Sequence, residues 1–410
     1  MPKEKTDQRT QALTTHWIQA MFRRYYDKVE LKLPPRFARR EYGFMFHDSD
    51  MVQRHLGFAK AEDLKEYLVT RTPAHAYHSA AYYQRPDAPT MEEKGWLGAD
   101  LIFDLDADHI ARVKGMPYEQ MLEEVKGEIK KIIDQYLLGD FGLNEKDLSI
   151  SFSGGRGYHI HVRDQRVWPL GAHERREIVD YITGTELDEG SFIRREAYEV
   201  NKWGAKYRYT MPRSDAPGWR GRIGRGIVEA AGRLEPMSKE EAMRYMCSFE
   251  NVGGKTADVI YDALFAKSGG KRGIDKLRAG DLDIFPSDRY LTQFRKMFLK
   301  VAVDLGKRET DEPVTSDVKR LIRLVSSLHG KTGLVVIGMT RDQLDDFRPL
   351  RDAIAPAFRD DPVRVEVTKA AKLTLRGETF NLSEGLTEVP EYAAVFLTCR
   401  GLATIPQVSA

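Results

Sequence analysis

The chain has almost no cysteine: two residues in 410, Cys247 and Cys399, far apart and without a C-x2-C pair. That excludes a disulfide framework and leaves a structural zinc without ligands, since such a site needs about four close thiolate or imidazole donors. Two scattered cysteines fit a reducing compartment. Long apolar runs are also missing; none approaches the roughly eighteen residues that cross a bilayer, so no membrane association is expected. The first residues, MPKEKTDQRT, are polar and do not read as a signal peptide, and a soluble cytoplasmic protein is the expectation. An excess of one charge is absent as well: 64 Lys and Arg against 62 Asp and Glu leave a net charge of +2. A surface for a polyanion must therefore be a local patch. There is no internal repeat and no low-complexity tract. What remains is a chain long enough to bury a large core, with its unusual chemistry concentrated in a few segments.

The first is FDLDAD at 103–108, in an apolar stretch that begins at Leu101. A strand places residues i and i+2 on one face, so Asp104 and Asp106 project side by side. Two like charges a few ångströms apart are unfavourable unless a cation neutralises them, and unpaired carboxylates in an apolar run are costly. All-oxygen ligation suits Mg2+ or Mn2+ together with substrate phosphates. Asp108 falls where the strand ends and reads as a solvated flank.

The second is SFSGGRGYHIHV at 151–162. Leu148, Ile150 and Phe152 alternate with serines, Gly154–Gly157 makes a tight turn, and Tyr158, Ile160 and Val162 alternate with His159 and His161. Period-two alternation around a Gly-rich turn predicts a hairpin. Its polar face carries Ser153, His159 and His161. Arg156 stands in the turn, where a planar guanidinium can clamp phosphate oxygens and glycines let backbone N–H groups approach the same anion. Taken alone, either half is as well explained by a turn with two exposed histidines.

The third is TDEPVTSDVKRLIRLVSSLHGKTG at 310–333. Thr315 or Ser316 caps a predicted helix with Val318, Leu321, Ile322 and Val325 on one side, placing Arg320 and Arg323 as surface neighbours. His329 and Lys331 follow in a Gly-bounded loop. Asp311 precedes the helix and is the best candidate for a third carboxylate. By itself this is a surface helix with solvated arginines.

Together the three segments resemble the catalytic small subunit of archaeal and eukaryotic-type DNA primase, and REYGF at 40–44 and HSAAYYQRPD at 78–87 follow the same family in the same order. The resemblance covers nearly the whole chain. It implies that Asp104, Asp106 and Asp311 bind two Mg2+ or Mn2+ ions. It also implies that Ser153, Arg156, His159, Arg323 and His329 hold the nucleoside triphosphate, and that Glu41 and Arg54 lie near its sugar. Arg323 stands where some members have lysine, which keeps the charge and adds bidentate geometry. The implied reaction is primer synthesis on a single-stranded DNA template, in a heterodimer with an iron–sulfur-containing large subunit. One departure is plain: many members carry a zinc-binding cysteine and histidine cluster near the hairpin. Here residues 109–142 read as an amphipathic helix instead, and no zinc is expected.

The expected class is α/β (α+β): a mixed-sheet catalytic domain over 1–235 and 306–410, interrupted by a helical subdomain over 236–305. Residues 11–27, 59–70 and 174–180 read as helices, as do 238–249, 255–265 and 289–305. Strands are expected at 363–367, 372–375 and 379–382, before a last helix near 390–399. Residues 201–226 interleave Lys202, Trp203, Lys206, Tyr207, Arg208, Tyr209, Arg213, Trp219, Arg220, Arg222 and Arg225 with one acid, Asp215. That pattern suits a nucleic-acid strand, or equally a loop with core-packing aromatics. Two other functions fit part of the pattern. A repair polymerase of the same superfamily shares the acids and the SG-x-x-G-x-H run, and separates from a primase by whether it starts chains on an unprimed template. A non-catalytic nucleic-acid-binding subunit is disfavoured by the three acids, and metal-dependent nucleotide incorporation would exclude it.

Overall fold

A computed structural model describes residues 2–201, 204–268, 270–308 and 310–407. Lys202, Trp203 and Glu309 lie outside the described residues. Its contacts divide the chain into two compact units: 1–133 with 143–179 and 309–410, and 134–142 with 180–308. The helical segment expected over 236–305 falls within the second unit, which also takes in residues from 180 onward.

The first unit is built on two four-stranded antiparallel sheets, so the α+β class holds while the expected mixed sheet does not. One sheet runs in the order Leu321–Arg323, His75–Ser79, Tyr42–Met45, Val52–Leu56. The other runs Ile337–Met339, Leu148–Phe152, Gly157–Val162, Leu101–Asp106. The Gly-rich hairpin forms as its alternation requires, with Ile150 opposite Ile160 and Phe152 opposite Tyr158. The carboxylate strand adds to its outer edge, pairing Asp104 with His159 and Asp106 with Gly157. Phe103, Leu105, Phe152, Tyr158 and Ile160 are buried beneath it. Burying such side chains contributes about 1.5–3 kcal/mol each.

The helix expected over 109–142 starts later. Short 3-10 turns occupy Ala107–His109 and Ala111–Val113, Pro117 caps the α-helix Tyr118–Lys131, and a wider π turn follows at Ile132–Leu138. Proline restricts the residue before it and cannot continue a helix from its own N-terminal side, which moves the start. The leading helix Pro2–Lys28 and the helix Ala61–Arg71 agree with the apolar periodicity. At the C-terminal end, strands Pro362–Val367, Ala371–Leu375, Glu378–Leu382 and Gly385–Pro390 precede the buried helix Glu391–Cys399.

The largest correction concerns 312–325. The helix expected beyond a Thr315 or Ser316 cap does not form: a short helix, Glu312–Ser316, ends where it should begin, and Leu321–Arg323 is a strand pairing with His75–Ser79. The apolar spacing that suggested a longer helix also fits a short strand, and the free edge of the His75–Ser79 strand decides between them. Ile322 is buried while Leu321 and Arg323 alternate to its other side.

The REYGF and HSAAYYQRPD motifs turn out to be scaffold. Arg40 is fully buried; its guanidinium meets Asp100 Oδ2 at 2.7 Å and donates to the Ser79 carbonyl at 2.7 Å. Tyr82 donates to the other Asp100 oxygen. Arg175 reaches the Asp100 and Ala99 carbonyls at 2.7 and 2.9 Å. This network ties the His75–Ser79 strand to the beginning of the carboxylate strand.

In the second unit, Gly218–Gly232 packs against Asp288–Gly306, with Lys239–Cys247, Gly254–Phe265 and Gly273–Arg278 around Ile223, Ile227, Phe294 and Phe298. Ser238 and Glu241 form a reciprocal cap at the start of their helix. Residues 201–226 are not a loop. Of the described ones, Gly204–Thr210 pairs antiparallel with Arg194–Asn201, and Gly218 opens the helix Gly218–Gly232. Their aromatics divide: Trp219 is buried and donates to the Tyr181 carbonyl, while Tyr207 is exposed under the Arg195 guanidinium. Arg222 is buried against Asp140 and Tyr136.

Candidate active site

The hairpin turn, the carboxylate strand and the 320–332 segment enclose a cavity of about 680 Å3 in the first unit. Asp104, Asp106, Ser153, Arg156, His159, Arg323 and His329 all line it. The carboxylate strand and the hairpin turn, about fifty residues apart, are thus brought together with a segment more than 150 residues further along the chain.

The strand alternation places Asp104 and Asp106 on the cavity side, partly exposed at 20% and 33%. Asp104 Oδ1 lies 3.5 Å from His159 Nε2, its partner across the ladder. Burial, and then the Arg323 charge, push the His159 imidazole down to about 3, so it is neutral at physiological pH. Its Nδ1 is buried and makes no hydrogen bond. Arg156 leaves the turn to pair with Asp108, its Nε 4.0 Å from Asp106. Asp108 is thus an ion-pair partner as well as a solvated flank.

Ser153 has a structural task in the turn. Its Oγ accepts from the N–H groups of Gly155 and Gly157 at 3.2 and 3.3 Å, leaving its O–H free to donate into the cavity. Gly154 adopts φ +75°, and a side chain there would stand 2.7 Å from His329 Cβ. Thr332 locks the same junction, donating to the Gly154 carbonyl at 2.5 Å. His329 is held well below its ordinary pKa by burial, then by Arg323 and His75.

Arg323 has the most pointed electrostatics. It stacks over Tyr77 at 4.7 Å, burial lowers its pKa, and its Nη1 is buried without a hydrogen-bond partner. An uncompensated buried guanidinium nitrogen is costly, and an anion's oxygen would satisfy it.

Asp311 reaches the site by its backbone. Its N–H donates to the Asp104 carbonyl at 3.1 Å, and Thr310 donates to the same oxygen at 3.3 Å. It does not line the cavity, and among the described residues no three His, Cys, Asp or Glu side chains converge as a metal-ligand set. Glu41 and Arg54 are placed elsewhere. Glu41 is fully buried and accepts from Arg54 at 3.0 and 3.2 Å and from the His55 N–H at 3.1 Å, with Lys94 at 3.8 Å. Arg54 extends to the Lys319 carbonyl at 3.3 Å. Neither lines the cavity, because this ion cluster consumes both side chains.

Sequence reasoning missed His75, Tyr77 and Arg400, which also line the cavity. His75 accepts from the Gly330 N–H at 3.1 Å and lies edge-on to His329. The alternation His75, Tyr77, Ser79 beside the recognised motif was a usable signal for the first two. Arg400, stacked on Tyr118 at the end of the last helix, had none.

The sequence profile of the DNA primase small subunit matches residues 103–341, the span that holds both hairpin and carboxylates. The chain belongs to the DNA primase small-subunit family. It is 44% identical to the DNA primase small subunit PriS of Methanothrix thermoacetophila over 96% of this chain and 99% of that protein. The PriS of Methanocella arvoryzae is 43% identical over 95% and 98%. That of Methanococcoides burtonii is 40% identical over 95% and 98%. Family membership carries the enzyme class, DNA primase, and the role, primer synthesis in replication. Among the described residues no helix is long and apolar enough to cross a membrane.

Proposed function

We infer that the chain joins nucleoside triphosphates on a single-stranded DNA template, with divalent cations held at the carboxylate strand. One observation carries this: the carboxylates Asp104 and Asp106 line the same cavity as Arg323, whose buried Nη1 has no hydrogen-bond partner. Hard oxygen donors on one side and anion-seeking nitrogens on the other are the two halves of a metal–triphosphate site.

The residues present fit Mg2+ or Mn2+. Asp104 and Asp106 share a strand face and remain partly exposed, and such cations take one or two carboxylates plus substrate phosphates. Asp311 would complete the protein's share from the segment bonded to the Asp104 carbonyl. Asp104 and Asp106 would hold the cations, whose chemistry when bound would be to lower the pKa of a 3′-hydroxyl and to neutralise charge on the pyrophosphate. The chain's own groups do the rest. Arg323 and Arg156 clamp phosphate oxygens, Ser153 donates its O–H, and neutral His159 and His329 donate without adding charge. Glu41 and Arg54 support the strand edge beside Lys319 and Arg320, and any contact with the sugar would require that cluster to open.

No zinc is invoked. Cys247 belongs to one compact unit and Cys399 to the other, and Cys399 is half-buried, with desolvation pushing its thiol up to about 12. The curated relatives are named small subunits, so the chain would work beside a large subunit in a heterodimer.

The test is incorporation of labelled nucleotides on an unprimed single-stranded template with Mg2+ or Mn2+. Short products starting from two nucleotides are expected. Extension of an annealed primer with no product on the unprimed template would instead indicate a repair polymerase, and no incorporation under either condition would indicate a binding subunit.

A further inference from the structure

The polar face of the hairpin does not end at His159. Beyond it lies a second cavity of about 370 Å3, which shares no lining residue with the first. Its floor is His78, Ser151 and His161, all buried. Its walls are apolar, formed by Pro34, Ile150, Val325 and Met339. Lys32 and Gln343 are exposed at its mouth, and half-buried Arg163 stands between mouth and floor. No carboxylate is among the described residues that line it.

Two of the lining residues each carry a buried nitrogen without a hydrogen-bond partner. His161 Nε2 lies 3.3 Å from Ser151 Oγ, but its Nδ1 makes no hydrogen bond. Arg163 Nε is likewise unbonded, with the nearest carboxylate, Asp100, at 3.9 Å. Leaving such groups unsatisfied costs about 1–3 kcal/mol each, which a bound partner would offset. His78 Nδ1 lies 3.0 Å from the Ser79 carbonyl, which holds its proton there and leaves Nε2 as an acceptor. Burial and neighbouring arginines keep both imidazoles neutral. The floor therefore offers hydrogen bonds without charge, and the rim offers positive charge.

The ligand must then have an apolar body, an edge of mixed donors and acceptors, and an anionic end. Free phosphate lacks the body and the edge. A fatty acid lacks the edge. A nucleobase carrying a phosphate has all three, and cavities of roughly 300–1,000 Å3 are the usual size for such ligands. We propose that this cavity is a second nucleotide-binding site, with the base on His78 and His161 between the apolar walls and the phosphate on Arg163 and Lys32. The His161 and His159 rings are 6.4 Å apart, so the occupant sits one imidazole removed from the partner of Asp104. The inference needs only the cavity's own residues and stands apart from the priming reaction.

Equilibrium dialysis of the full chain against radiolabelled AMP, with EDTA present, tests it. One equivalent should bind to the wild type and equally to Arg323→Gln, which disables the first cavity. Arg163→Gln, which removes the cation, and Ser149→Phe, which narrows the entrance, should each weaken binding at least tenfold in protein that still unfolds cooperatively. Adenosine should bind at least tenfold more weakly than AMP. The proposal is overturned if millimolar AMP does not bind the wild type, if Arg323→Gln abolishes binding, or if binding survives both Arg163→Gln and Ser149→Phe.

Discussion

Gly154 and His329, 175 positions apart in the chain, are packed so closely that a methyl group on the glycine would stand 2.7 Å from the histidine Cβ. The hairpin turn and the HGKTG loop therefore meet without any side chain between them, and Thr332 fastens the contact through the Gly154 carbonyl. Gly154 also needs φ +75°, a conformation that costs other residues about 1 kcal/mol or more. Gly154→Ala should lower stability by about 1–3 kcal/mol and, by displacing His329, raise the KM for nucleotide about tenfold. Steady-state kinetics beside urea denaturation would check both. A loss of stability with an unchanged KM would show that His329 does not touch the nucleotide.

Asp311 is bonded through its backbone to the Asp104 carbonyl, which fixes its position whatever its side chain does. Asp311→Asn should keep that bond and the fold but lose nucleotide joining about as severely as Asp106→Asn, with nucleotide binding less affected. Neutralising Asp281 or Asp283, in the other compact unit, or Asp317 should leave the rate within a few-fold. Single-turnover incorporation measures this. Near-normal turnover in Asp311→Asn would remove it from the metal site.

The Arg40–Asp100 pair is completely buried, and breaking such a pair leaves an uncompensated charge. Arg40→Met should destabilise the chain by about 3–5 kcal/mol, and the double variant with Asp100→Asn should recover part of that loss. Denaturant midpoints test the pair. An Arg40→Met variant within 1 kcal/mol of wild type would show that Tyr82 and Arg163 suffice for Asp100.

Buried histidines set the acid limit of the fold. Burial lowers His47 to about 4, and His78 and His161 are lowered well below 6.5. Between the unfolded value of 6.5 and these folded values, the unfolded chain binds more protons than the native one. Stability is therefore complete above pH 6.5 and falls as pH drops toward 4, by about 1.4 kcal/mol per pH unit for each such group. Melting temperatures from pH 7 to 4.5 should show this decline, and His47→Gln should make it shallower. A flat profile would mean these rings take up protons in the folded state.

The parts of this site that sequence revealed are those whose pattern is local. The alternation of apolar residues around Asp104 and along 148–162 has a single reading as strands, and the structure keeps it. Arg320 and Arg323 were legible as site residues but not as strand residues, because Val318, Leu321, Ile322 and Val325 satisfy helical spacing until the edge of His75–Ser79 is available for pairing. Glu41 was legible as a charged residue in a family motif and Arg54 only through the resemblance, whereas their mutual ion pair depends on a fold the motif does not describe. Arg400 and the cavity over His161 come from tertiary packing alone. The pairing of Arg194–Asn201 with Gly204–Thr210 was hidden by a composition rich in charged residues, without the apolar alternation that marks a strand.

The central claim is that Asp104 and Asp106 are paired for metal, not for structure. The most direct measurement compares wild type with Asp106→Asn for dinucleotide formation on an unprimed single strand in Mn2+, alongside metal-free melting of both. The account predicts that Asp106→Asn makes no dinucleotide and melts at or above the wild-type temperature, since removing one carboxylate relieves repulsion. Dinucleotide formation at the wild-type rate, or unfolding of the variant without metal, would contradict it.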